Sequence, residues 1–145
     1  MKNNPLIKSV MTPFPHSIDI DASIVEARKF MMSHHIRHLP VTDKAELVGI
    51  LTDRDIKLIL GPDFDYPSQQ ELSVRDVYID SPYIVSLDEP LVHVLANMVE
   101  KHIGSVLVTR KGKLAGVFTS TDVCRSFYQF ISDKFPTSDG DDSVA

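Results

Sequence analysis

The chain repeats itself. Sliding the 145-residue sequence by 67 positions without a gap sets Pro15 on Pro82, Asp21 on Asp88, Val25 on Val92 and Met31 on Met98. It also sets His35-Ile36 on His102-Ile103, Val41-Thr42 on Val108-Thr109, Lys44 on Lys111, Leu47 on Leu114, Gly49 on Gly116, Thr52 on Thr119 and Asp55 on Asp122. A unit of about 50 residues is too small to bury a sheet by itself, so two copies must pack sheet against sheet about an approximate two-fold axis. The sharpest part of the repeat is Gly49-Ile50-Leu51-Thr52-Asp53-Arg54-Asp55 with its partner Gly116 to Asp122. An apolar run that ends in threonine and continues polar reads as a strand turning into a helix. The first N–H groups of such a helix lack partners and favour an anion.

Along the chain, Lys2 to Ser9 reads as a lead-in crossing the surface, and Val10 to Pro15 as irregular, because Pro13 and Pro15 deny donors to a ladder. Ser17 to Ile20 alternates like a short strand. Asp21 or Ser23 can cap the helix that follows, and Ser23 with Glu26 fits a capping box. Ile24, Ala27 and Met31 form its apolar stripe, and the helix ends near His34-His35. His38 to Thr42 is extended, Asp43 to Glu46 turns, and Leu47 to Leu51 is a strand buried on both faces. Asp53 to Leu60 is a helix stopped by Gly61-Pro62. In the second copy Leu91, Val94, Leu95 and Met98 make a cleaner stripe, with Asp88 as cap and Pro90 in the first turn. The last helix runs through Val123, Phe127, Phe130 and Ile131. The organisation is therefore a unit at 8–60, a linker at 61–73, a second unit at 74–131 and a mobile acidic tail at 132–145.

Composition excludes several classes. A net charge of -5 and a pI near 5.6 argue against general binding of DNA or RNA, whose partners are basic. No apolar run reaches the roughly 18–20 residues a bilayer requires, and no secretory signal is visible. The single cysteine, Cys124, suits a cytoplasmic location and packs on a helix. His34, His35 and His38 do not complete a tetrahedral metal set, so no metal is expected. No nucleophile stands beside a base and no glycine loop carries a phosphate-binding lysine, so no catalysis is expected and there are no catalytic residues to name. Met31 and Met98 are core positions, and Phe127, Tyr128 and Phe130 are helix packing, or a dimer surface if exposed.

The motifs, taken together and in order, resemble those of a tandem pair of cystathionine-beta-synthase (CBS) domains, the assembly called a Bateman module. The stretches that carry the resemblance are Val10-Met11-Thr12-Pro13, Ile36-Arg37-His38-Leu39-Pro40-Val41 and Gly49 to Asp55. In the second copy they are His102-Ile103-Gly104-Ser105-Val106-Leu107-Val108 and Gly116 to Asp122. The resemblance spans residues 8–131. It implies an α/β (α+β) fold of two β-α-β-β-α repeats packed through their sheets about a pseudo-two-fold axis. It also implies a non-catalytic regulatory module for energy sensing, with an adenosyl ligand (AMP, ADP, ATP or S-adenosylmethionine) in the clefts between repeats, a disc-like homodimer and an effector protein as partner.

By that resemblance, Asp55 and Asp122 accept hydrogen bonds from the two ribose hydroxyls, which suits the paired oxygens of a carboxylate. Thr52 and Thr119 present hydroxyls and helix N-termini to a phosphate. The cleft of Asp122 is expected to join Thr119 and Thr121 to Thr12, Pro13, Ile18, Arg37, His38 and Leu39. The cleft of Asp55 is expected to join Thr52 and Arg54 to Tyr83, Ile84, Ile103, Gly104 and Ser105. Because Arg37-His38 becomes Gly104-Ser105 in the second copy, the Asp122 cleft is expected to bind more tightly. Thr-x-x-Asp also fits a helix cap that needs no ligand. The competing expectation is therefore a constitutive dimerisation or scaffold module with empty clefts.

Overall fold

A computed structural model describes residues 3–61 and 72–137. After a short strand β1 (Thr12–Pro13), the same order of elements occurs twice. The first pass is β2 (Ile18–Asp19), α1 (Ile24–His34), β3 (His38–Asp43), β4 (Glu46–Thr52) and α2 (Asp53–Leu60). The second is β5 (Ile84–Ser86), α3 (Leu91–Lys101), β6 (Ser105–Arg110), β7 (Lys113–Thr119) and α4 (Ser120–Lys134). The mixed α/β pair of repeats expected from the sequence is thus the observed architecture. Among the described residues, no helix is long and apolar enough to cross a membrane.

Local chemistry accounts for the element ends. Ser23 Oγ accepts the Glu26 amide at 3.0 Å and starts α1. His35 (φ 53°) and His102 (φ 54°) take the left-handed conformation that ends α1 and α3. Both hairpins turn through two residues of positive φ, Lys44-Ala45 and Lys111-Gly112, as a tight turn matching strand twist requires. Only the second copy has glycine there.

One sheet has the order β2-β3-β4 and the other β1-β7-β6-β5. Strand β1 precedes the first unit in the chain yet pairs antiparallel with β7 of the second, Thr12 opposite Val117 and Pro13 opposite Gly116. The lead-in is exchanged throughout. The Ile7 amide donates to the Glu89 carbonyl and that of Leu91 to Pro5, both at 2.9 Å. At the equivalent positions, the Val74 amide donates to Ala22 at 2.8 Å and that of Ile24 to Leu72 at 3.0 Å. Ile7 is fully buried with Val85, Val94, Val106 and Phe118, while Val74 and Val77 complete the first core around Ile24, Leu39 and Leu51. The lead-in therefore does not cross the surface. Apolar side chains three apart on a single helical turn, Ile7 with Val10 and Val74 with Val77, fill the other unit's core, and burying them there is worth more than leaving them in water.

This exchange explains the motif glycines. A Cβ on Gly49 would stand 2.1 Å from the Ile79 carbonyl oxygen, and one on Gly116 would stand 2.4 Å from Met11 Sδ. The Ile50 and Ile79 backbones bond each other reciprocally, at 3.0 and 2.8 Å, across that close approach. Strands β4 and β7 lie against each other. The turn residues Glu46 and Lys113, equivalent in the repeat, form an ion pair at 3.1 Å.

Three local expectations change. Asp88 does not cap α3, whose N-cap is Pro90; it pairs with Lys8 at 2.9 Å, as Asp21 pairs with Arg75 at 3.0 Å. These two acids hold the exchanged lead-ins. Thr12-Pro13 joins a sheet despite its proline, because an edge position asks no donor of it. The last helix continues to Lys134, into the stretch expected as tail. Most of the expected linker, 62–71, and the tail from 138 lie outside the described residues.

Candidate functional site

The two Thr-x-x-Asp turns occupy equivalent places, each at the end of a central strand and the start of a helix. Thr52 is the N-cap of α2 and its Oγ1 accepts the Asp55 amide at 3.1 Å. Thr119 is the N-cap of α4, where its amide donates to Asp122 Oδ2 at 2.8 Å. The backbone before each helix is tied to the preceding strand in the same way. The Asp53 amide donates to Arg37 at 3.0 Å and that of Ser120 to Gly104 at 3.1 Å. The capping role is therefore real in both copies.

Their carboxylates differ in what else they hold. Asp122 Oδ1 accepts from Thr12 Oγ1 at 2.9 Å and from Arg125 Nη1 at 2.8 Å, and the side chain is 5% exposed. Asp55 takes the Thr52 hydroxyl on Oδ2, and its Oδ1 has no hydrogen-bond partner among the described residues. The cause lies in the repeat. Where Asp122 has Thr12 and Arg125, the equivalent positions around Asp55 are Ile79 and Leu58, whose side chains can donate nothing.

Asp55 opens into a cleft of about 660 Å³, of the size that holds small ligands. Thr52, Asp53, Arg54 and Asp55 form one side, and His102, Ile103, Gly104 and Ser105 the other. Ile50, Leu58, Ile79 and Pro82 supply apolar wall, and Arg37 and His38 complete the rim. Of the residues expected here, Thr52, Arg54, Asp55, Ile103, Gly104 and Ser105 are brought together. Tyr83 and Ile84 are elsewhere: the Tyr83 hydroxyl takes Asn97 Nδ2 at 3.0 Å, and Ile84 pairs with Leu107 in the second sheet.

Arg37 and His38 are expected opposite Asp122. They line the Asp55 cleft, because His38 pairs with Thr52 across β3 and β4 of its own unit. Ile18 and Leu39, expected beside Asp122, are buried in the first core. Thr12 does reach Asp122, but as its hydrogen-bond donor. Pro13 pairs with Gly116, and Thr121 is exposed on α4. The sequence reading missed Ile50, Asp53, Lys57, Leu58, Ile79, Ser81, Pro82 and His102. The repeat offset held a signal for two of them, since Ile79 and Leu58 stand where Thr12 and Arg125 stand.

Electrostatics favour an anion in the Asp55 cleft. Lys57 is paired with Asp53 at 2.7 Å, whereas the guanidinium groups of Arg37 and Arg54 have no hydrogen-bond or ion-pair partner among the described residues. Burial, and then the neighbouring Arg37 charge, lower the His38 pKa, with Asp55 acting weakly the other way. A Cβ at position 104 would make only ordinary contacts, with Ser120 Oγ at 3.5 Å and His38 Nε2 at 3.9 Å. Cys124 is on α4 as expected but exposed rather than packed. His34 Nδ1 lies 3.0 Å from the Phe30 carbonyl, and among the described residues no three His, Cys, Asp or Glu side chains are placed to hold a metal.

The CBS domain model matches residues 7–61 and again 74–128. The solved CBS domain pair of protein MJ0100, in complex with 5'-methylthioadenosine and S-adenosyl-L-methionine, superposes with a TM-score of 0.77. It is 28% identical, covering 88% of this chain and 99% of that one. CBSX2 in complex with AMP shares the fold, with a TM-score of 0.75 at 23% identity over 86% of this chain and 97% of that one. L-aspartate semialdehyde sulfurtransferase of Methanocaldococcus jannaschii is 31% identical over 124 residues, 84% of this chain and 23% of the relative. Inosine-5'-monophosphate dehydrogenase of Bifidobacterium longum is 28% identical over 120 residues, 82% of this chain and 22% of the relative. The chain thus spans about a quarter of the length of these curated relatives. A doubled β-α-β-β-α unit with exchanged lead-ins, matched twice by one family model and along nearly its whole length by a solved pair, places the chain in the CBS-domain family as a tandem pair, a Bateman module.

Proposed function

We propose that this chain is a non-catalytic regulatory module that binds an adenosyl ligand in the Asp55 cleft and signals its occupancy to a partner protein. The observation that carries the reading is the pairing of an unengaged carboxylate oxygen on Asp55 with the uncompensated guanidinium groups of Arg37 and Arg54 in one cleft. A carboxylate accepts from two vicinal hydroxyls, and guanidinium groups take phosphate oxygens. Ile50, Ile79 and Pro82 offer apolar surface to a purine. AMP, ADP or ATP fits this charge distribution better than S-adenosylmethionine, whose sulfonium would face two arginines. That MJ0100 binds S-adenosyl-L-methionine and CBSX2 binds AMP supports the ligand class.

Signalling follows if the ligand holds two arrangements with different affinity, since the cleft takes α2 from one unit and the start of β6 from the other. The exposed Phe127, Tyr128, Phe130 and Ile131 on α4 suit a homodimer contact. Asp122, satisfied by its own chain, favours a second reading in which the module is a constitutive scaffold. Thermal shift with AMP, ATP, S-adenosylmethionine and NADH separates them. A rise with AMP or ATP above that with S-adenosylmethionine is expected, and no rise with any of them leaves the scaffold. Native mass spectrometry of the same sample reports subunit number and any retained ligand.

A further inference from the structure

Away from the Asp55 cleft, three rings meet where the segment between β1 and β2 passes α1. His16 lies on Phe30 and His34 of that helix, with ring centres 5.2 and 4.4 Å away, and Phe30 and His34 stack at 4.1 Å. This meeting is built by the fold. A shift of 67 positions carries His16, Phe30 and His34 onto Tyr83, Asn97 and Lys101, which also meet. There Asn97 Nδ2 donates to the Tyr83 hydroxyl at 3.0 Å, and the Lys101 ammonium lies 6.0 Å from the Tyr83 ring centre. The second copy thus sets a cation of its own at this place, where the first copy sets two imidazoles.

The hydrogen bonds around His34 choose its tautomer. Its Nδ1 lies 3.0 Å from the Phe30 carbonyl oxygen, which can only accept, so Nδ1 carries the proton. Ser33 Oγ, 3.0 Å from the same nitrogen, donates its own proton to that carbonyl at 3.1 Å. Nε2 is then left with a free lone pair, and a histidine oriented through a backbone carbonyl in this way is the usual form of a metal ligand. His16 makes no hydrogen bond among the described residues, and both histidines are exposed, so water can fill the remaining positions around an ion. Two imidazoles on one ion, each at about 2.1 Å, put their ring centres about 4.6 Å apart at right angles and about 5.3 Å apart in a tetrahedron. The observed 4.4 Å suits the right-angled arrangement.

We infer that His16 and His34 chelate one divalent transition-metal ion of tetragonal preference, Cu(II) or Ni(II), with water in its other positions. The ion ties the segment after Thr12, itself bonded to Asp122 of the second unit, onto α1 of the first. Neither histidine lines the Asp55 cleft, so the site stands whether or not that cleft takes an adenosyl compound.

Titration calorimetry with Cu(II), Ni(II), Zn(II) and Mg(II) chlorides tests it, on the full chain carrying Cys124→Ser to remove the exposed thiol. One ion per chain is expected, tightest for Cu(II), then Ni(II), then Zn(II), and none for Mg(II). His16→Gln, His34→Gln and the two together should each weaken Ni(II) binding at least about tenfold and to one common level, because a chelate loses its advantage with either ligand. His93→Gln, on α3, should leave binding unchanged. Should a glutamine variant melt lower without metal, His16→Tyr with His34→Lys installs the pair that the second copy already packs and should likewise abolish binding.

No binding of Cu(II) or Ni(II) by the parent chain overturns the inference. So does binding that survives both single substitutions, or losses that add in the double variant, since the two imidazoles would then act separately. An equal loss in His93→Gln overturns it as well. Zn(II) binding more tightly than Ni(II) refutes the tetragonal arrangement, and Mg(II) binding as tightly as Ni(II) refutes ligation by imidazole.

Discussion

Replacing Asp122 and Asp55 by alanine, one at a time, should give opposite outcomes in stability and binding. Asp122 completes the capping box of α4 by accepting the Thr119 amide at 2.8 Å, and losing that bond costs about 1 kcal/mol. It also holds Thr12 Oγ1 at 2.9 Å, and a hydrogen bond to a charged group contributes about 1.5 kcal/mol. Arg125 is 68% exposed, so its ion pair adds no more than about 0.5 kcal/mol. The sum is about 3 kcal/mol, or about 6–12 °C in melting temperature for a chain of this size. Asp55 holds only the Thr52 hydroxyl among the described side chains, so Asp55→Ala should cost about 1 kcal/mol or less. Binding should run the other way. Losing two ribose hydrogen bonds to a carboxylate, at about 1.5 kcal/mol each, weakens AMP about a hundredfold in Asp55→Ala. Asp122→Ala should leave AMP affinity within about threefold, the free-energy difference being small beside that loss. Urea denaturation and titration calorimetry on the same preparations provide both numbers. If Asp122→Ala weakens AMP more than Asp55→Ala does, the assignment of the open cleft to Asp55 is wrong.

The motif glycines should differ as well. Gly49→Ala drives a methyl into the Ile79 carbonyl and the Tyr78 ring, costing about 3 kcal/mol, while Gly116→Ala meets chiefly the flexible Met11 side chain and costs about 1–2 kcal/mol; equal midpoints in urea would refute the exchange geometry. Ala45→Gly relieves a left-handed alanine (φ 67°) in the first hairpin turn and should stabilise by about 0.5–1 kcal/mol, read from the urea midpoint at constant slope. His38, its pKa lowered by burial and by Arg37, is neutral in the fold. The unfolded chain then binds the extra proton, so stability is lost as pH falls through the ordinary histidine range near 6.5. Melting curves between pH 7.5 and 5 should fall more steeply for the wild type than for His38→Gln, and parallel curves would contradict that charge balance.

The amino-acid order by itself determined the doubled unit, its strand and helix sequence, and the two Thr-x-x-Asp turns, because each depends on neighbours within one helical turn or one strand. Ser23, Gly61 and the stripe Ile24, Ala27 and Met31 act locally, and local reasoning finds them. The place of the lead-in is not legible in the sequence for the opposite reason. Residues 5–13 are stabilised by contacts with residues 80 to 110 positions away, as the Lys8–Asp88 and Thr12–Asp122 pairs illustrate, and no periodicity encodes which unit they join. The same long-range exchange decided the site. It brings Ile79 beside Asp55 and Thr12 beside Asp122, so that one aspartate is left open and the other is satisfied by its own chain. Arg37 and His38 followed β3 to the Asp55 side because a hairpin pairs strands of the same unit. The repeat settled that there would be two equivalent turns. Only the tertiary structure decided which aspartate is satisfied by its own chain, since that depends on the side chains that the exchanged segments carry across.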